Sequence, residues 1–566
     1  MTNNDIVQKL WTLCDVLRDD GINYSDYVTE LVLLLFIKME YENTEAGLLN
    51  KHKLPEGCRW PDLSSKSGLN LLNDYRHILL ALSTGKDADG NTVVSDQLIL
   101  AIYADAQTRL REPRHLEQLI KSLDGIDWFS AQRDGLGDLY EGLLEKNASE
   151  TKSGAGQYFT PRPLIDSIIR CIKPQAGEII QDPAAGTAGF LIAADAYIKG
   201  HTDDLYNLNE KAQTFQRNKA FVGMELVPGT RRLALMNCLL HGMEGDNEGV
   251  VHLGNTLGLP GTQLSEADVI LTNPPFGTGK GGGGPTRDDF TYKTSNKQLA
   301  FLQHIYRSLK PGGRAAVVLL PDNVLFEAGV GTDIRRDLMH KCNLHTILRL
   351  PTGIFYAQGV KTNVLFFNKG TAENPHQDEN CTENVWVYDL RTNMPSFGKR
   401  TPIGNQYLQP FEDCFHATPR DEIHGQIALS IEGGANTVDL TTERPSPEGE
   451  GGVRGNLNKE ESLFLFPHPG LLAGGEGESQ TRWRCFSRDW IKTQKGDSLD
   501  IAWLKDQDSV DAASLPEPDV LAAEAMSELT EALRELNGLI QALGAGDEAQ
   551  AQNDLLAEVL GLGESA

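Results

Sequence analysis

The 566-residue chain is 40% apolar and 23% charged, which is ordinary for a globular protein and sufficient for two or three domains with a large core. Its formal net charge of −27 argues against a protein that grips nucleic acid alone over a broad face, because such faces are basic. The eight cysteines are scattered, the longest apolar run (Leu31 to Ile37) is too short to span a bilayer, and no signal peptide opens the chain, so we expect a cytoplasmic protein without disulfides, bound metal or membrane anchor.

Residues 1–150 are predicted to form an N-terminal helical domain. Apolar residues at helical spacing, from Ile6 to Leu17, mark one face of a first helix. Tyr27–Met39 and Asp138–Lys146 are two further predicted helices. No catalytic constellation is visible in this region, and we interpret it as a domain for packing or docking.

From residue 151 to residue 420 the sequence alternates between short apolar runs and helical patterns. The predicted strands are Glu178–Asp182, Ala220–Leu226, Val250–Leu253, Asp268–Thr272, Gly313–Leu320, Leu344–Leu350 and Asn363–Phe367. The predicted helices between them are Thr187–Ile198, Pro228–Leu240 and Asn296–Leu309. Strands separated by helices predict an α/β fold with a parallel, doubly wound sheet.

The remainder of the chain has a different composition. Residues 421–480 are rich in Gly, Pro and Glu, which predicts a flexible low-complexity insertion. Residues 481–566 form a predicted C-terminal segment that ends in an acidic tail. Within this tail, apolar residues from Leu529 to Leu543 recur every three or four positions, which predicts a helix that packs on a partner surface, in this chain or in another one.

The most informative motif is Asn273-Pro274-Pro275-Phe276, which directly follows the fourth predicted strand. Two prolines cannot continue a central strand, so a rigid turn begins there, at the strand end where open α/β sheets bind their ligands. The turn offers the Asn273 amide, the Pro274 carbonyl and the Phe276 ring. This set suits a flat base with an exocyclic amine, which would donate to two acceptors and stack on one ring.

Three further turns follow predicted strands. Asp182-Pro-Ala-Ala-Gly186-Thr-Ala-Gly189-Phe190 follows the first strand, and glycines there let a ligand approach the backbone at a helix start. This turn lacks the G-x-G-x-x-G spacing of a dinucleotide site. The alternative to a ligand-binding role is a plain tight turn. Glu225 ends the second strand, where an acid can accept from ribose hydroxyls or form a surface salt bridge. Asn255 follows the third strand and is either a ligand for an adenine edge or a turn residue.

Two loops flank these motifs. Gly154-Ala-Gly156-Gln-Tyr158-Phe159-Thr160-Pro161 predicts a structured loop over a small ligand, with an inter-domain linker as the alternative. The glycine-rich stretch that begins at Gly277 is not a phosphate loop, because Pro274 stands at the required first glycine and Lys280 precedes Gly281. We interpret that stretch as a mobile lid.

Taken in order, Gly156-Gln-Tyr-Phe-Thr-Pro161, Asp182-Pro-Ala-Ala-Gly-Thr-Ala-Gly-Phe190 and Asn273-Pro-Pro-Phe276 resemble the motifs of N6-adenine DNA methyltransferases. The chain is more narrowly similar to the modification subunits of type I restriction–modification systems, which also match Leu350-Pro-Thr-Gly-Ile-Phe355 and Tyr388-Asp-Leu-Arg-Thr-Asn393. The resemblance extends to about residue 505, apart from the insertion.

This resemblance implies a Rossmann-like methyltransferase domain, S-adenosyl-L-methionine as cofactor and adenine in double-stranded DNA as substrate. It also implies a specificity subunit that reads the sequence, a restriction subunit, and two copies of the methylating chain per complex. The expected catalytic residues are Asn273, Pro274, Pro275 and Phe276. The expected cofactor-binding residues are Gln157, Tyr158, Phe159, Thr160, Asp182, Ala184, Gly186, Thr187, Gly189, Glu225, Asn255 and Thr256.

The chain departs from the family at two positions, with Ala188 where another glycine is frequent and Asn255 where many members have Asp. Methyltransferases of RNA or of protein glutamine also carry Asn-Pro-Pro-aromatic and stay an alternative, although Phe276 and the long helical N-terminus favour DNA. A scaffold without activity is a second alternative, against which the intact motif from Asn273 to Phe276 argues.

Overall fold

The structure, a computed structural model, describes residues 3–22, 26–47, 51–87, 89–126, 128, 140–144, 160–275, 284–319, 324–355, 361–370, 380–395, 397–398, 401–417 and 482–504. The chain separates into two units, Met1–Leu504 and Lys505–Ala566, and the second lies wholly outside the described residues. The predicted insertion, the predicted tail helix and the glycine-rich stretch up to residue 283 also lie outside them. None of the helices in the described part is long and apolar enough to cross a membrane.

The N-terminal region is helical, as predicted. Its helices are α1 (Asn3–Thr12), α2 (Cys14–Asp19), α3 (Tyr27–Glu45), α4 (Trp60–Ser64), α5 (Gly68–Thr84), α6 (Gln97–Tyr103) and α7 (Pro113–Asp124). The single first helix of the prediction was wrong, because the chain breaks at Leu13 into α1 and α2. Every residue of the apolar run Leu31 to Ile37 is at most 1% exposed, so this run forms the centre of the helical core.

A nine-stranded sheet forms the rest of the described fold, in the order β3-β2-β1-β4-β5-β7-β6-β8-β9. The strands are β1 (Ile180–Asp182), β2 (Phe221–Glu225), β3 (Val251–Leu253), β4 (Ala267–Thr272), β5 (Leu309–Leu319), β6 (Cys342–Leu350), β7 (Thr362–Lys369), β8 (Asn384–Asp389) and β9 (Trp483–Ser487). The order reverses between β1 and β4, which is the switch point of a doubly wound fold.

Helices cover both faces of the sheet. They are α8 (Arg162–Ile172), α9 (Gly189–His201), α10 (Glu210–Asn218), α11 (Pro228–Leu240), α12 (Lys297–Ser308), α13 (Val330–Lys341), α14 (Asn405–Ala417) and α15 (Arg488–Lys495). One core joins α8, α9, α11 and α14 with the N-terminal helices, and a second core joins α12, α13 and α15 on the opposite face. The predicted doubly wound α/β fold is therefore confirmed.

The prediction of a fully parallel sheet was wrong at one end. Along the order β3-β2-β1-β4-β5 each strand is parallel to the next, but β7 lies antiparallel between β5 and β6, and β9 lies antiparallel to β8. The connection from Leu350 to Thr362 is too short for a helical crossover, and antiparallel pairing needs none. Strands β8 and β9 were missing from the prediction.

A buried arginine fastens the end of the described chain to this sheet. Arg335 on α13 is 1% exposed, and its guanidinium donates to the carbonyls of Asp497 and Val324, both at 2.8 Å, and to the Thr332 hydroxyl at 3.1 Å. Burial lowers the pKa of Arg335 to about 10, so the group stays charged at neutral pH. The segment after α15 is thereby held beside the second core.

Replacing this arginine by leucine should destabilise the protein. Arg335→Leu leaves two buried carbonyls without their donor, which costs about 3 kcal/mol and lowers the Tm by several degrees. Arg18→Ala is the control, because the Arg18–Asp15 pair is 66% exposed on both sides and should contribute under about 0.5 kcal/mol. Equal Tm values for the two variants would contradict the anchoring role.

Candidate active site

The Asn273 side chain is held at the carboxyl end of β4 by one hydrogen bond. Its amide nitrogen donates to the hydroxyl of Thr160 at 2.9 Å, and Thr160 is only 9% exposed. The amide oxygen, Oδ1, is buried and has no hydrogen-bond partner among the residues that the structure describes. We call this oxygen the open acceptor. Pro274 beside it is buried, whereas Phe276 lies outside the described residues.

The turn between β1 and α9, residues 183–188, lies next to Asn273 and is called the glycine turn here. Strand β1 pairs with β4 in parallel, with Ile180 opposite Val269 and Gln181 opposite Ile270. Asn273 and the turn after Asp182 therefore start side by side, because neighbouring strands lie only about 4.8 Å apart. The sequence-based hypothesis requires Asn273 and the glycine turn to be neighbours, and the pairing of β1 with β4 makes them so.

Three residues define the conformation of the turn itself. Asp182 is 2% exposed and accepts from the Ala184 amide at 3.0 Å. Gly186 has a φ of 55° and faces open space, since a Cβ built there meets nothing within 4 Å. Ala188, the position of the family's frequent glycine, adopts a φ of 70°, a left-handed conformation that costs a residue with a Cβ roughly 1–2 kcal/mol. The sequence tolerates this strain at the start of α9.

Glu225 ties the ends of β1 and β2 together. Its carboxylate accepts from the Gly186 amide at 3.1 Å and from the Val227 amide at 2.8 Å, and it is 9% exposed. Burial raises the pKa of Glu225. The carboxylate is thus fixed in direction at the edge of the glycine turn by main-chain amides, and the described part of the chain shows no ion pair between it and a basic side chain.

The turn after β3, which contains Asn255 and Thr256, lies beside the glycine turn. The Thr256 hydroxyl donates to the Pro183 carbonyl at 2.6 Å, which joins this turn to the glycine turn. The Asn255 side-chain oxygen accepts from the Leu257 amide at 3.0 Å, so this atom shapes the turn and leaves the NH₂ group as the part of the amide that could meet a ligand. The proposed roles of Asn255 and Thr256 stay predictions.

The structure therefore gathers the described predicted residues along one edge of the sheet. They are Thr160, Asp182, Ala184, Gly186, Thr187, Gly189, Glu225, Asn255, Thr256, Asn273, Pro274 and Pro275. Gln157, Tyr158, Phe159 and Phe276 lie outside the described residues.

One supporting residue escaped the prediction. Asn237 on α11 is fully buried and donates to the Thr187 carbonyl at 3.0 Å, which ties the glycine turn to α11. A polar residue on the buried face of an amphipathic helix was the only signal for it in the sequence.

The acceptor groups of the site favour a ligand that carries positive charge and hydroxyl groups. Asp182 and Glu225 are two buried carboxyls, and burial raises the pKa of Asp182 to about 7 while the neighbouring Glu225 charge adds to the rise. A ligand that brings positive charge would relieve this repulsion. The open acceptor needs a donor, which an amine supplies.

Sequence and structure comparisons with known proteins give matches that are consistent with one another. The N-6 DNA Methylase family matches residues 131–445, the HsdM N-terminal domain matches residues 6–123, and the C-terminal domain of the type I restriction enzyme methylase subunit matches residues 515–558. The chain is 56% identical to the StySPI methylase subunit of Salmonella potsdam and 55% identical to the EcoKI methylase subunit of Escherichia coli, with 99% of each chain covered. It is also similar to the crystal structure of the EcoKI M protein, at 49% identity and a TM-score of 0.51, with 98% of this chain and 99% of that chain covered.

The raised pKa of Asp182 predicts a pH dependence of stability. An unfolded Asp titrates near 3.9, so between about pH 4 and pH 7 the folded chain holds a proton that the unfolded chain has lost. This contribution to stability is complete below pH 4 and is lost as the pH rises through 7. Asp182→Asn should therefore lose less Tm between pH 5 and pH 7.5 than the wild-type protein. Parallel Tm curves for the two proteins would contradict the shift.

Proposed function

The chain belongs to the N-6 DNA methylase family, as a methylase subunit of a type I restriction enzyme, and we propose that Asn273 and its neighbours hold the adenine that is methylated. The protein is an adenine-specific DNA methyltransferase that acts within a restriction–modification complex. The observation that carries our proposal is the open acceptor on Asn273, buried beside the glycine turn.

The exocyclic amine of adenine is a poor nucleophile, because its lone pair is delocalised into the ring. We propose that the amine donates one hydrogen to the open acceptor and the other to the Pro274 carbonyl. These two bonds draw the nitrogen toward tetrahedral geometry and direct its lone pair toward the methyl donor. An aligned geometry of this kind lowers the activation barrier by about 7–11 kcal/mol, and no covalent intermediate is needed.

Thr160 gives the open acceptor its direction. Because the Asn273 NH₂ group donates to the Thr160 hydroxyl, the amide oxygen faces away from Thr160 and is left for the base. The oxygen is then aimed before the base arrives, which is the usual requirement for stabilising charge that develops in a transition state. Thr160 thus links the predicted ligand loop to the catalytic corner.

S-adenosyl-L-methionine, the cofactor that the family implies, would supply a methyl group on a sulfonium that is already a good leaving group. We propose that Glu225 accepts from the ribose hydroxyls and that the backbone around Gly186 lies close to the ligand. Asp182 favours the positive charges of the cofactor, and Asn255 and Thr256 face its adenine. The open space at Gly186 and the two fixed carboxylates support this arrangement.

A base in a duplex is hidden, so it must swing out, which costs a few kcal/mol. We propose that Phe276 stacks on the extruded adenine, which returns about 1–3 kcal/mol. The acidic balance of the chain fits a complex in which a specificity subunit reads the sequence, a restriction subunit joins, and two copies of this chain act on one duplex. Such a complex works in the cytoplasm, where its DNA lies.

Asn273→Ala should abolish methylation and change the affinity for S-adenosyl-L-methionine less than twofold, because only the acceptor for the target amine is removed. The measurement is transfer of labelled methyl to DNA, beside equilibrium dialysis of the cofactor. Asn209→Ala, which removes an amide that caps α10 at 2.9 Å from the Ala212 nitrogen, is the control and should methylate normally. Equal loss of cofactor binding and methylation in Asn273→Ala would count against the assigned role.

Thr160→Val keeps the shape of the side chain and removes the hydroxyl that holds Asn273. The amide can then rotate, so kcat should fall roughly 10- to 100-fold, as expected for a small loss of alignment. Thr214→Val is the matched control, since its hydroxyl bonds only to the Glu210 carbonyl within α10, at 2.8 Å. An unchanged kcat in Thr160→Val would show that the amide needs no such support.

A further inference from the structure

Arg287 forms a dense set of contacts that neither the motifs nor the proposed chemistry explains. Its side chain is only 6% exposed. Its guanidinium donates to both carboxylate oxygens of Asp289, at 2.8 and 2.6 Å, to the Thr256 carbonyl at 3.2 Å and to Nδ1 of His304 at 2.9 Å. The planar guanidinium, with five donors in a rigid fork, lets Arg287 reach these three groups at once.

One of these contacts lies on the turn to which we assign the cofactor. The Thr256 carbonyl accepts from Arg287, while the Thr256 hydroxyl donates to Pro183 on the other side. The next carbonyl, that of Leu257, accepts from the amides of Thr286 and Arg287 at 2.9 and 3.3 Å. The turn 255–257 is thus held between the glycine turn and the Arg287 segment.

The surroundings leave this carbonyl little room. A Cβ built on Gly261 would lie 1.9 Å from the Thr256 oxygen, so the turn packs directly on the backbone at 261. The Arg287 guanidinium lies 4.5 Å from the centre of the Phe290 ring. Phe290 belongs to a small apolar cluster with Leu257, against which Ala184 of the glycine turn also packs. Arg287 therefore braces both cofactor turns from one side.

His304 connects Arg287 to strand β1 by hydrogen bonds. It is fully buried on α12, and burial lowers its pKa to about 3, so the ring is neutral and its Nδ1 accepts from Arg287. The other ring nitrogen then carries the hydrogen and donates to the Gln181 side chain on β1, at 3.3 Å. The position of Arg287 is fixed by β1, the strand that leads into the glycine turn.

We propose that Arg287 is a positioning residue that sets the place of the Asn255–Leu257 turn against the glycine turn and so determines the affinity for S-adenosyl-L-methionine. It acts through Thr256 and touches neither the methyl donor nor the target base. This inference rests on the proposed function, because it takes the turn 255–257 to contact the cofactor.

The test is equilibrium dialysis of labelled S-adenosyl-L-methionine against the full-length chain, with DNA methylation followed in parallel. Arg287→Lys keeps the charge but loses the fork, so the Kd for the cofactor should rise about tenfold, while the KM for DNA stays within twofold. Because hydrogen bonds to Asp289 orient the guanidinium, Asp289→Asn should raise the cofactor Kd by a smaller factor, roughly threefold. Asp289 is 34% exposed, so this variant stays informative if Arg287→Lys folds poorly.

Arg314→Lys is the matched control. The Arg314 guanidinium also bonds to a carboxylate, that of Glu178 at 2.7 Å, and to main-chain carbonyls, but at the amino edge of the sheet. It should lower Tm as much as Arg287→Lys does and leave the cofactor Kd unchanged. A merely structural role for Arg287 would give the two variants the same cofactor Kd, and that result would overturn the inference.

The result also separates this inference from the proposed function. If Arg287→Lys and Asp289→Asn bind the cofactor like the wild-type protein while Asn273→Ala has lost methylation, the inference fails and the proposed function stands. If Asn273→Ala methylates normally, the proposed function fails, and the inference that rests on it falls as well.

Discussion

The hydrogen bond from the Asn273 amide to the Thr160 hydroxyl is the interaction on which the rest of the site depends. It uses the donor half of the amide and leaves the acceptor half buried and without a partner among the described residues, which costs about 1–3 kcal/mol. A protein can hold such an atom only where the surrounding fold is rigid. Here the two prolines after Asn273, the parallel pairing of β4 with β1 and the start of α8 supply that rigidity. In the proposed mechanism this cost is recovered when the adenine amine donates to the oxygen.

The carboxyl edge of the sheet combines two opposite requirements. The target amine needs acceptors, and a sulfonium cofactor with an amino-acid part needs negative charge nearby. We propose that Asp182 and Glu225 meet the second requirement. Burial raises the pKa of both carboxyls, and the neighbouring Glu225 charge adds to the rise at Asp182. Main-chain amides from Ala184, Gly186 and Val227 hold them in place without neutralising them. We propose that the backbone in this way holds both carboxyls in place for a cationic ligand.

Much of this was readable from the sequence, for physical reasons that differ along the chain. The first five strands and α11 were predicted because short apolar runs and a proline at a helix start are local signals. The end of β4 before Asn273 was predicted because two prolines cannot continue a central strand. The bond between Thr160 and Asn273 joins residues 113 positions apart and carries no local signal. Arg287 was missed for the same reason, since a lone arginine forms no motif. Strand β7 was predicted, but its antiparallel direction was missed although the short connection after Leu350 indicated it, and β9 was missed because it follows a long polar stretch.

The central claim is most directly tested by a structure of the complete complex with target DNA and S-adenosylhomocysteine, which cannot donate a methyl group. The account predicts that the exocyclic nitrogen of the extruded adenine lies within about 2.7–3.2 Å of the Asn273 side-chain oxygen, with the bond to Thr160 intact. An Asn273 oxygen bonded to another protein group, with the adenine amine held elsewhere, would contradict it.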